Sequence, residues 1–128
     1  MEIEAIIDNR PPIMEADPSG EIFVLTDAMR CRVGIDGIWR PVVVHAGFLT
    51  DLASIPPWAW PVAERLGPWN RPAILHDYLY WQGTCSRLVA DRIFCAAMRS
   101  TGVAALRRAL MYAAVRIAGW HPWREYRA

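Results

Sequence analysis

Lysine is absent from this chain; all fourteen basic residues are arginine, a bias from which no mechanism follows. Cysteine is scarce as well. Cys31, Cys85 and Cys95 form an odd set without metal-ligand spacing, which argues against a disulfide scaffold and predicts small buried apolar side chains. No long apolar run is free of charge: the longest, 103–119, is broken by Arg107, Arg108 and Arg116, so no membrane span is expected. The start, Met1-Glu2-Ile3-Glu4, lacks the basic-then-apolar pattern of an export signal, and cytoplasmic synthesis is expected. A glycine-rich phosphate loop, a Gly-x-Ser-x-Gly elbow and a His-Glu-x-x-His pair are all missing, which removes the familiar nucleotide-binding, serine-hydrolase and zinc-protease signatures. There are no internal repeats and no low-complexity tracts.

What is present points to a compact globule. Over 128 residues, 54% are hydrophobic and 21% charged, a balance that predicts one domain spanning 1–128. Seven tryptophans are many for this length, and Trp58, Trp60, Trp69 and Trp123 each adjoin a proline, as in rigid aromatic-lined loops. Charge is polarised. Residues 1–30 hold seven acids and two arginines (net −5), and 99–128 hold six arginines and one glutamate (net +5). No nucleic-acid motif accompanies the basic end, so no nucleic-acid partner is expected. The arginine-bearing third helix and the Trp120–Tyr126 tail can form a partner surface, although such arginines are more often a solvated edge.

Residues 1–46 read as β structure. Ile3, Ala5 and Ile7 alternate in a first strand closed by Asn9–Pro12, and Asp17-Pro18-Ser19-Gly20 is a turn signal. Strands over 21–26 and 30–35 follow, and Asp36-Gly37 predicts a hairpin returning through Trp39–His45. A single antiparallel sheet of three or four strands is expected. Residues 47–70 then hold four of the ten prolines and three tryptophans, a rigid connector in which Thr50 or Asp51 can cap a helical turn and Pro57 can start a short helix to about Leu66. From 71 to 118 the pattern is helical. One helix ends near Gln82-Gly83, and a second is capped by Ser86 and closed by Gly102. The third runs from about Val103 to Ala118, with Val103, Leu106, Leu110, Ala113, Ala114 and Ile117 as its core-facing stripe. Gly119 and Pro122 end it, leaving 119–128 as a tail. The fold class is α+β: a small N-terminal antiparallel sheet followed by a three-helix C-terminal half.

The chemistry concentrates in Ala73-Ile74-Leu75-His76-Asp77-Tyr78-Leu79-Tyr80. Positions four apart share a helix face, so His76 lies beside Tyr80. Buried polar groups need partners, and Asp51 upstream and Asp91 on the next helix can supply them. A histidine beside a carboxylate can act as general base, its ordinary pKa of about 6.5 being close to neutrality. Asp77 and Asp51 are hard oxygen donors suited to calcium or magnesium. A His76-Asp77-Asp91 set suits zinc or manganese instead. Tyr80 can donate to Asp91 and orient it. Thr50, Ser54 and Arg87 are the supporting candidates. Cys85 beside Arg87 is a weaker nucleophile candidate. The alternative is architectural: the same polar groups can simply lock helices in register.

Three ordered motifs carry a resemblance. Gly47-Phe48-Leu49-Thr50-Asp51-Leu52-Ala53-Ser54-Ile55-Pro56, then Ala73–Tyr80, then Arg87-x-x-Ala90-Asp91-x-x-Phe94-x-x-Ala97-Met98, resemble domain-of-unknown-function family 1353. That family is widespread in tailed phages and prophages. Gly102-Val103 and Met111-Tyr112-x-Ala114-Val115-Arg116 extend the likeness over about 20–118, with Pro57 standing where the family is expected to carry arginine. The resemblance implies a phage or prophage origin, a host bacterial cytoplasm as the place of synthesis, and virion association as one destination. More locally, His76-Asp77-x-x-Tyr80 with Asp91-x-x-Phe94 is similar to the active-site helices of phospholipase A-two enzymes. That likeness implies His76 as base, Asp77 as calcium ligand, and Tyr80 with Asp91 as the orienting pair. The disulfide framework and glycine-rich calcium loop of those enzymes are missing unless Gly47–Asp51 replaces the loop.

Two functions are therefore expected to compete. One is a metal-assisted ester hydrolase with one divalent cation, calcium favoured over zinc, acting on a cell-envelope lipid or ester. The other is a non-enzymatic tail or assembly protein that meets other phage structural proteins. A small host-takeover inhibitor is a variant of the second.

Overall fold

The computed structural model describes residues 1–7, 14–16, 22–50 and 70–128. The predicted turns at Asn9–Pro12 and Asp17–Gly20, the short helix after Pro57, and the site candidates Asp51 and Ser54 lie outside these residues.

Among the described residues, two three-stranded antiparallel sheets replace the single sheet expected. The first has the order β1 (Ile3–Ile7), β4 (Met29–Ile35), β5 (Ile38–Val44). Its register sets Ala5 against Val33 and Ile7 against Cys31, with Met29 against Val44 on the other side of β4. Alternation does the rest: Ala5, Ile7, Met29, Cys31, Val33 and Val44 are buried, while Arg30 and Arg32 between them are exposed. The β4–β5 hairpin forms where Asp36-Gly37 predicts it. Asp36 and Gly37 have φ of 52° and 81°, the paired positive values of a type I′ turn, whose twist matches that of the strands. The second sheet joins β2 (Met14–Ala16), β3 (Phe23–Leu25) and β6 (Leu49–Thr50), with β3 central. Thr50 faces Phe23 across this sheet, and the helical turn that it or Asp51 was expected to cap lies outside the described residues.

Among the described residues four helices follow: α1 (Asn70–Gln82), α2 (Arg87–Ser100), α3 (Ala105–Ala118) and α4 (Trp120–Arg127). The predicted tail is thus largely helical. Pro122 falls in the first turn of α4, where its missing N–H breaks no intrahelical bond, so it starts a helix where it was read as a terminator. Helix α1 is buried at every position from Pro72 to Tyr80, as befits a helix enclosed on all sides. It packs on α2, which crosses β1 and meets α3.

The start of α2 is fixed as expected. Ser86 adopts an extended conformation and its Oγ accepts from the Val89 N–H at 3.2 Å, satisfying one otherwise orphaned donor. Ser86→Ala is expected to cost about 1 kcal/mol, read as an earlier urea midpoint at unchanged slope.

The core-facing stripe of α3 shares Val103 and Ala114 with the predicted one and otherwise differs from it. Met111, Ala114 and Val115 are buried, whereas Leu106 is 74% and Ile117 66% exposed. Two apolar arcs lie side by side on this helix, and spacing alone does not say which one faces inward. Among the cysteines, Cys31 is buried and Cys85 and Cys95 are half-buried, all three as free thiols. Burial pushes the Cys31 thiol up to about 12, against the opposing charge of Arg71. The Cys85 thiol is also raised, by burial first and then by the charge of Asp91, the opposite of the lowering by Arg87 that a nucleophile there would need.

Candidate functional site

Asp91 is the centre of the polar cluster. It projects from α2 into the space between α1 and α3 and is 0% exposed. Its Oδ1 lies 2.6 Å from His76 Nε2 and accepts from Tyr80 Oη, also at 2.6 Å. Its Oδ2 accepts from Arg116 Nη1 at 2.6 Å, with Arg87 Nη1 at 3.5 Å. Burial alone would raise this carboxyl. The hydrogen bond and charge of His76, with the hydrogen bonds from Tyr80 and Arg116, outweigh that and hold it below its ordinary value. Asp91 is therefore an anion at neutral pH. Tyr80 is pushed the other way, by burial and then by its bond to Asp91, so it stays a phenol and a donor.

The spacing explains the convergence. His76 and Tyr80 are one turn apart on α1, and Arg87 and Asp91 are one turn apart on α2, so each pair shares a face. The His76 ring is held between Tyr80 and Phe94, with ring centroids 4.2 and 4.8 Å away. Since an ionised Asp91 can only accept, His76 Nε2 donates to it, and in the neutral ring Nδ1 carries the free lone pair. Nδ1 is buried and has no hydrogen-bond partner among the described residues. His76 itself is 2% exposed.

The neighbouring candidates divide. Arg87 joins the cluster and also donates to the backbone carbonyls of Val115 and Arg116, at 3.1 and 3.4 Å. Asp77 is 4% exposed, and its Oδ1 accepts from Tyr126 Oη of α4 at 3.4 Å. A one-residue step rotates a helix by about 100°, which is why adjacent His76 and Asp77 serve different neighbours. Thr50 is buried at 1% exposure in β6. Among the described residues, no three His, Cys, Asp or Glu side chains are grouped to hold a metal ion. The expected mixed set of His76, Asp77 and Asp91 is therefore not assembled around a common point. Asp77 is the one member of the Asp77–Asp51 pair that the described residues contain.

Residues 23–115 match the family model described as Protein of unknown function (DUF1353). The chain belongs to that family. No curated protein and no solved structure matches it. The DUF1353 span contains His76, Asp77, Tyr80, Arg87 and Asp91, and Arg116 follows it directly.

Two arginines that hold this cluster and its helix in place are not legible in the sequence as site residues. Arg116, taken for a solvated arginine, is the closest cationic partner of Asp91. Arg127 in the supposed tail donates to the carbonyls of Tyr80 and Trp81 at 2.6 and 2.9 Å, completing the C-terminal end of α1. Gly119 makes the junction possible. A Cβ there would meet the Val115 carbonyl and sit 2.5 Å from Tyr80 Oη. Gly119→Ala is expected to cost about 1–3 kcal/mol through overpacking and to displace Tyr80 from Asp91. Thermal melting reads the first effect, and a fall in the Tyr80 phenol pKa from its raised value reads the second.

Proposed function

We propose that His76 is a general base that activates water for hydrolysis of an ester in a cell-envelope component, and that the protein is phage- or prophage-encoded. The observation that carries this reading is the one-sided bonding of the imidazole. Asp91 fixes Nε2 as the protonated nitrogen, Tyr80 and Arg116 fix Asp91, and Nδ1 keeps a lone pair with no described partner. In the step proposed, Nδ1 takes a proton from water as the oxygen attacks the ester carbonyl. Asp91 stabilises the imidazolium, which returns the proton to the departing alkoxide. A divalent cation, calcium before zinc, would be held by Asp77 together with Asp51 and would polarise the carbonyl; the proton transfer at His76 does not pass through it.

The burial of the whole cluster favours a second reading, in which it is an architectural tie between α1, α2 and α3 in a virion or assembly protein. One comparison separates them. Wild type and His76→Gln are assayed on soluble carboxylic esters and on phospholipid vesicles, with and without calcium, alongside calcium and zinc titrations of wild type and Asp77→Asn. Hydrolysis by wild type that His76→Gln abolishes without early melting supports the base. An inert wild type whose His76→Gln variant melts early transfers the site to the architectural reading.

A further inference from the structure

We propose that the outward face of α3 docks the protein onto an anionic lipid bilayer surface. At 100° per residue, Leu106, Leu110, Ala113 and Ile117 fall within an arc of about 60°, extending about 16 Å along the helix. Their exposures are 74% for Leu106, 40% for Leu110 and 66% for Ile117, and Trp120 beyond the helix end is 51% exposed. Scattered exposed aliphatics are ordinary, but a contiguous stripe with no polar residue in it is not.

Charge selects the occupant. Between Asp91 and Glu125 the chain has six arginines and no acid, and of the six Arg116 is committed to Asp91. Arg107 lies about 100° round α3 from Leu106 and is exposed. Arg124 is also exposed and stands 5.9 Å from the centre of the Trp120 ring. A second copy docking on the same stripe would bring two copies of Arg107 and Arg124 together, and the neighbouring acid, Glu125, is already paired with His121. An anionic headgroup layer neutralises them, while Leu106, Leu110 and Ile117 enter the acyl boundary and Trp120 lies at its edge. No helix among the described residues is long and apolar enough to cross a membrane, so the contact is peripheral. This inference does not depend on His76, and its test does not read activity.

The test is co-sedimentation of the full chain with phosphatidylcholine vesicles, with and without phosphatidylglycerol. Wild type is expected to pellet with the mixed vesicles only, and less so as salt is raised. Arg107→Gln is expected to weaken binding about fivefold, the effect of one charge near an anionic surface. Leu106→Ser with Ile117→Ser is expected to weaken it more than tenfold, and Leu106→Ser alone serves if the double variant melts early. Three results would each overturn the proposal: no binding to mixed vesicles, equal binding to neutral ones, or variants that bind as wild type does. A dimer in sedimentation equilibrium that Leu106→Ser dissolves would overturn it too, by assigning the stripe to a second copy.

Discussion

Asp91→Asn is expected to destabilise the fold by about 3–5 kcal/mol, the usual effect of removing one partner from a buried ion pair. The carboxylate is 0% exposed and receives three donors at 2.6 Å. An amide has one acceptor oxygen and no charge, so at least one of those donors loses its partner. Arg116 keeps 31% of its side chain exposed and can turn partly to water, which places the expected cost toward the lower end of that range. For a chain of this length the melting temperature should fall by about 10–20 °C.

The pH dependence of this effect has a definite sign. The native Asp91 pKa is lowered from its ordinary 3.8, so the unfolded chain binds its proton first as pH falls. The stabilisation is complete above about pH 4 and is lost as pH drops through the lowered native value. Urea unfolding at pH 7 should therefore separate wild type and Asp91→Asn fully, and the gap should narrow below pH 4. A constant gap down to the acid limit would show that Asp91 is not the ionised centre described.

His76→Gln is expected to lower any hydrolytic rate by about 10²–10⁴-fold, the range lost with a general base. Glutamine can still donate an N–H toward Asp91 Oδ1, so the helices keep their tie and the change in stability should stay within about 1–3 kcal/mol. What glutamine lacks is a basic lone pair at the Nδ1 position. A parallel loss of rate and fold would point to architecture; loss of rate with a normal melt would isolate proton transfer.

How far the sequence could be read depended on distance along the chain. The Asp36-Gly37 turn, the Ser86 cap and the His76–Tyr80 face are set within five residues, and each stands where local chemistry puts it. Asp91 was reachable because a second helix follows the first after a short loop. Arg116 was not. It meets Asp91 across 25 residues and from a third helix, and the motif Met111-Tyr112-x-Ala114-Val115-Arg116 that contains it does not say what the arginine faces. The pairing of β3 with β6, which sets Thr50 opposite Phe23, is likewise a long-range choice. Helix α3 failed differently: two adjoining arcs both have helical spacing, and the choice between them belongs to packing. The Asp77–Asp51 and Ser54 expectations rest on 51–69, outside the described residues.

The enclosure of α1 also bears on how this chain can change over generations. From Pro72 to Tyr80 no position faces water, so the segment has no silent sites where substitutions can accumulate unnoticed. A larger side chain collides, a smaller one leaves a hole, and a polar one arrives without a partner. Any new property is therefore far easier to acquire on the helices around α1 than within it.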